Sequence, residues 1–189
     1  MKKTAIVACI FLLAGCSADY PLSANLHLRA GNQPMGIYDN TTTAILSGHD
    51  ARKNSAVVAY QIKGQSEVLL PNETEPHVLV ANQLARGFLE QGLVFENGAP
   101  VRIQLNLEEL LVKVNRPKLL YNATARSHIT LIVTNRGTTL TKTYVREANR
   151  ETATQPPVKD LEKMLNEQLT DIVKQILQDE EVRTAIRTR

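Results

Sequence analysis

Few side chains in this 189-residue chain stand in arrangements that chemistry uses. Cys16 closes an apolar run, Leu13-Ala14-Gly15-Cys16, where its thiol is the one good nucleophile available. Ser47-Gly48-His49-Asp50 contains the residue types of a nucleophile, base and orienter. Neighbours in a polar loop rarely face one another as such a chain must, so the segment reads as a loop. Glu108-Glu109 has the composition of an acid/base pair. Strand neighbours point to opposite faces, so these carboxylates flank one bond only across a bulge. His27, His49, His77 and His128 are dispersed, with no two at ligand spacing on one element. Nucleophile-elbow, phosphate-loop, zincin, dinucleotide and paired-cysteine motifs are absent from the sequence. The expectation is a non-enzyme with no catalytic residue, no cofactor and no metal site.

The elements around Cys16 define its chemistry. Lys2 and Lys3 form a positive n-region, and Ala5 to Ala14 an apolar stretch too short to cross a bilayer core, which takes about 20 residues. Together with the small residues Ala14 and Gly15, this resembles the lipobox of bacterial lipoproteins. The resemblance implies a signal peptide over residues 1–15, removal before Cys16, and acylation of its thiol and new amine. Cys9 leaves with the signal, so the folded domain has no disulfide, catalytic thiol or thiolate ligand. Several acyl chains hold a protein firmly where one holds it marginally. Ser17 stands where aspartate would resemble the inner-membrane retention signal, and resemblance to that sorting rule implies the outer membrane with the domain in the periplasm.

Composition narrows the class. The chain is 43% hydrophobic and 22% charged, enough apolar material for a core and too much for a disordered chain. Aromatics are 4% with no tryptophan, leaving little from which to build stacking platforms. Two of the 22 basic side chains, Lys2 and Lys3, leave with the signal, against 19 acidic ones. That near-neutral balance points to no nucleic-acid partner.

Residues 16–25 read as a lipidated tether and 26–189 as a single periplasmic α/β domain. Leu26, Leu28 and Ala30 alternate as in a strand, and Ile37-Tyr38 and Ala44-Ile45-Leu46 supply strand pieces, with Gly48 to Asn54 as a loop. Val57 to Ile62 and Glu67 to Leu70 suit a hairpin. One helix is predicted from Pro76 to Gly92, with Val78, Ala81, Leu84, Ala85, Phe88 and Leu89 inward. A second follows Pro156-Pro157, with a stripe from Val158 and Leu161 through Ile176. Asp179 is positioned to cap a last short turn through Ile186.

Between the helices lies a strand meander. The alternation of Val101, Ile103, Leu105 and Leu107 slips at Glu108-Glu109 and resumes on Leu110, Val112 and Val114, predicting a bulge. Asn122 to Thr134 and Thr138 to Arg146 pair across Asn135-Arg136-Gly137. The fold class is α/β (α+β): a two-layer sandwich of a mixed, mostly antiparallel sheet with two amphipathic helices on one face. Ile129 to Val133 and Leu110 to Val114 read as apolar on both faces, so the second face is expected to be covered, by residues 31–56 or by a partner. Arg183, Arg187 and Arg189 read as a solvated helix end, with contact to anionic lipid or peptidoglycan as the alternative.

The order of short motifs carries a resemblance over nearly the whole chain. After the lipobox come Met35-Gly36-Ile37, Gln83-Leu84 through Gly92-Leu93-Val94, Asn97-Gly98-Ala99-Pro100-Val101, Tyr121-Asn122-Ala123-Thr124 and Leu140-Thr141-Lys142-Thr143-Tyr144. In sequence this resembles the YajG family of outer-membrane lipoproteins. The resemblance implies a location and a domain type, and transfers one site, the lipidated Cys16. The expected function is a lipid-anchored, non-catalytic binding or scaffolding module with an envelope protein as partner. The alternatives are a carrier of lipid or another apolar small molecule, or an accessory subunit of an outer-membrane or peptidoglycan assembly machine.

Overall fold

The computed structural model describes residues 20–29 and 31–187. In chain order these form β1 (Thr43–Asp50), β2 (Ala56–Gln61), β3 (Val68–Pro71), α1 (Pro76–Glu90), β4 (Val94–Phe95), β5 (Val101–Asn115), β6 (Tyr121–Asn135), β7 (Thr138–Thr152), α2 (Val158–Gln178) and α3 (Glu180–Arg187). The strands make one seven-stranded mixed sheet. The fold class read from the sequence is the one observed, with α3 added to the helical layer.

β5 is the axis of the sheet. On one side it pairs antiparallel with β6 along its whole length. On the other, its first half pairs parallel with β1 and its last residues pair parallel with β2. The expected bulge lies between Leu107 and Glu109, at the level where β1 ends and the chain crosses to β2. An extra residue there bends the strand and raises its twist.

Alternation sorts the side chains. Ile103, Leu105, Leu107, Ile129, Leu131 and Val133 face the helices and are at most 1% exposed. α2 lays the predicted stripe onto them, with Leu161, Leu165, Leu169, Ile172 and Ile176 fully buried. α1 sits rotated from expectation. Val80, Leu84, Gly87 and Phe88 are buried, whereas Val78 and Leu89 are exposed. Gly87 lies against the Leu177 side chain of α2, where an added Cβ would crowd its methyl groups. Gly92 ends α1 at φ 95°, and a Cβ would meet Tyr38 O at 2.7 Å.

The N-terminal stretch departs from the strand and tether readings. Leu26 and Leu28 are buried as their alternation implied, yet the stretch makes a single bridge, Ala24 with Asn72. It runs along the helical layer instead. Asn25 N–H donates to Glu162 Oε1 and His27 N–H to Asn166 Oδ1, both on α2. Packing starts earlier than residue 26: Tyr20 lies 4.7 Å from the Tyr60 ring, and Ala24 is buried.

Residues 31–56 do not cover the second sheet face. Thr43 to Asp50 is itself a strand, so Gly48 to Asp50 is not loop, and Tyr38 packs on Phe88 on the helical side. The apolar reading of that face is also corrected. Ile132 stands between Thr130 and Thr134, and Leu111 faces out beside Lys113, so polar–apolar alternation is kept and no continuous apolar layer needs a cover.

Candidate interaction surface

The residues singled out for chemistry are dispersed by strand geometry. On β1, Ser47 and His49 lie opposite Gln104 and Asn106 and point to the open face, while Asp50 lies opposite Leu107 and points to the helices. Asp50 is engaged by Arg52, whose Nε and Nη2 donate at 2.9 and 2.8 Å. Those hydrogen bonds hold its carboxyl below the usual carboxylate range. The pattern Ser-Gly-His-Asp therefore assembles no nucleophile–base chain.

Glu109 lies opposite His128 on the open face and pairs with Arg126 at 3.4 Å. His77 meets Glu75 at 3.5 Å on the first turn of α1. Among the described residues there is no group of three or more His, Cys, Asp or Glu placed to hold a metal ion. Cys16 and Arg189 lie outside the described residues.

The other C-terminal arginines are occupied within the domain. Arg183 is buried, donating from Nε to Leu177 O and from Nη1 to Glu180 Oε1, and Arg187 donates to Arg183 O and Glu180 Oε2. Arg183 ties α3 to the end of α2, whereas Arg187 is held within α3 and stays partly exposed. Asp179 works beside them. Its Oδ1 accepts from the N–H groups of Glu181 and Val182, capping α3 as expected, and its Oδ2 meets Lys142 Nζ at 2.7 Å and Tyr144 OH at 3.0 Å. Burial alone raises its pKa, but the hydrogen bonds from Lys142 and Tyr144 outweigh that and hold it low.

The longest regular exposed surfaces of the sheet are its open face and the outer edge of β7. The open face carries Arg102, Gln104, Asn106, Thr130, Ile132 and Thr141 in register across β5, β6 and β7. No side chain on these rows is fully buried. β7 pairs with β6 over all fifteen residues and, among the described residues, with no strand on its other side.

The Arg136-Gly137 turn fixes which groups face outward. Both residues have positive φ, 48° and 88°, as a two-residue type I′ hairpin requires. Asn135 and Thr138 then form the closing hydrogen-bonded pair, so even-numbered residues of β7 bond to β6 and odd-numbered ones present N–H and C=O outward. Val145 confirms the parity: its carbonyl accepts from Arg146 Nη1 at 2.9 Å. The sequence reading ended this strand at Arg146, six residues short. The alternation of Thr139, Thr141, Thr143 and Val145 was the signal available for the edge, and it fades in the charged stretch that follows.

The family described as "Uncharacterized lipoprotein" matches residues 32–187. The chain is 25% identical over 183 residues to the uncharacterised lipoprotein YajG of Escherichia coli strain K12, covering 94% of this chain and 92% of that protein. The homologue in Escherichia coli O6:H1 matches to the same extent. A crystal structure of a Xanthomonas campestris protein superposes with TM-score 0.55 at 9% identity, covering 85% of this chain and 94% of that one, a likeness of fold alone. The match over most of the chain places this protein in the family of uncharacterised lipoproteins to which YajG belongs.

Proposed function

We propose that this protein is a non-catalytic docking module, held by acyl chains on Cys16 at the periplasmic face of the outer membrane, that receives an envelope protein by strand addition on β7. Membership of a lipoprotein family and the basic, apolar and small-residue leader support the anchor. The observation that carries the docking role is the fifteen-residue outer edge of β7, whose odd-numbered peptide groups face away from the sheet. An unpaired edge is a template for another strand, and main-chain hydrogen bonds supply affinity while alternate side chains supply selection. Thr139, Thr141 and Thr143 stand beside that edge as small polar contacts. A carrier role needs space between the layers, where Leu105, Leu107, Ile129, Leu165 and Leu169 are sealed at 0% exposure.

The test is capture from solubilised envelope with wild type and Thr143→Pro side by side. Proline at this odd-numbered position removes an outward N–H and leaves the ladder to β6 intact. A partner retained by wild type and lost by the variant, at unchanged thermal stability, supports edge docking. Equal capture by both proteins contradicts it.

A further inference from the structure

The sheet has two ends, and the chain enters the domain at one of them. The Tyr20 ring lies tilted against that of Tyr60, centroids 4.7 Å apart, and its hydroxyl accepts a hydrogen bond from Gln155 Nε2 at 2.6 Å. Tyr60 lies opposite Val114, and the next row runs Gln61, Asn115, Asn122, Glu151 across four strands. The β5–β6 connection, residues 116–120, leaves the sheet from that row. Cys16 precedes Tyr20 by four residues, so the backbone at Cys16 can lie no more than about 14 Å from Tyr20.

The connection has the composition of a lipid contact. Leu119 is 80% exposed and Leu120 45%, and of the large apolar side chains left exposed among the described residues they are the one pair adjacent in sequence. Arg116 and Lys118 precede them in the same connection. The loop is also held in shape: the Arg116 guanidinium sits 4.9 Å from the Tyr121 ring centroid, and its Nε donates to Leu119 O at 3.3 Å. Pro117 limits it further. Exposed leucines directly after two cations on a braced loop suit the boundary between anionic headgroups and acyl chains. Leu22, 95% exposed and two residues past Tyr20, adds apolar surface near the anchor. Asp160 and Glu162, on the first turns of α2, lie near Tyr60, and Glu67 and Glu151 are further acids of this end. Glu67 accepts from Gln61 Nε2, and Glu151 lies on the last paired row rather than in the loop.

We propose that Leu119 and Leu120 insert into the leaflet that holds the acylated Cys16, with Arg116 and Lys118 at its anionic headgroups, so that the domain stands end-on with β7 and the open face running away from the membrane. This rests on the anchoring of Cys16 proposed above.

The sequence contains no tryptophan, so Leu119→Trp introduces a single indole reporter. Full-length protein, processed in cells and purified, is reconstituted into phosphatidylethanolamine–phosphatidylglycerol vesicles doped with brominated lipid. Met35→Trp, at an exposed site beyond the opposite end of the sheet, is the comparison. Quenching of the residue-119 indole about threefold or more above that of the residue-35 indole, with a blue-shifted emission, is expected for a loop seated in the interface. Equal, weak quenching at both positions overturns the proposal. The mass of the N-terminal peptide reads the anchor separately. If Cys16 carries no acyl chain, the anchoring reading falls, and Leu119→Trp protein is added to preformed vesicles. Quenching there still supports a lipid-facing loop, and its absence overturns it.

Discussion

Leu131 and Ile132 are adjacent on β6 and do different work. Leu131 points into the helical layer and is 1% exposed, packed among residues that define the core, whereas Ile132 points to the open face between Gln104 and Thr141. The same contrast runs through β5, β6 and β7: one face of each strand is committed to folding, and the other is released from it. Fold stability therefore sits mainly in one half of these side chains, and the other half is left facing solvent.

Substitutions that separate the faces sharpen this contrast. Leu131→Ala leaves a cavity in a sealed core, and a loss of about 3 kcal/mol in urea unfolding is expected. Asp179→Ala removes the α3 cap and the hydroxyl and ammonium partners on β7, and about 2 kcal/mol is expected from the same measurement. Because its pKa is held low in the fold, Asp179 contributes stability above the ordinary carboxylate pKa, near pH 4. That contribution is lost as pH falls through the depressed value. Melting temperature should accordingly fall more steeply on acidification in wild type than in Asp179→Asn. Ile132→Asp, one residue from Leu131, should cost only about 1 kcal/mol, since half-burial and strand preference are all it gives up. A loss for Ile132→Asp as large as that for Leu131→Ala would show that the open face belongs to the core.

The inward face was legible in the sequence because burial imposes period two on strands and period 3.6 on helices. The α2 stripe from Val158 to Ile176, the Glu108-Glu109 slip and the Asp179 cap all follow from local pattern. Where long-range packing decides, local pattern misleads. α1 turns Val78 and Leu89 outward and sets Gly87 against Leu177 of α2, and no periodicity within α1 records the partner helix. Arg183 reads as a solvated cation until the buried Leu177 carbonyl it serves is known. The outward reach of the β7 edge is a property of topology, because a strand does not announce whether it has one neighbour or two. The apolar run Ile129 to Val133 misled for a simpler reason: Thr130 and Ile132 share the open face, and one isoleucine among threonines is not a patch.

Placement of photoreactive residues at Thr141 on β7 and at Lys174 on the exposed side of α2, in intact cells, tests the docking role most directly. The account predicts a discrete, reproducible adduct from position 141 and none from position 174. The same diffuse products from both positions would contradict it.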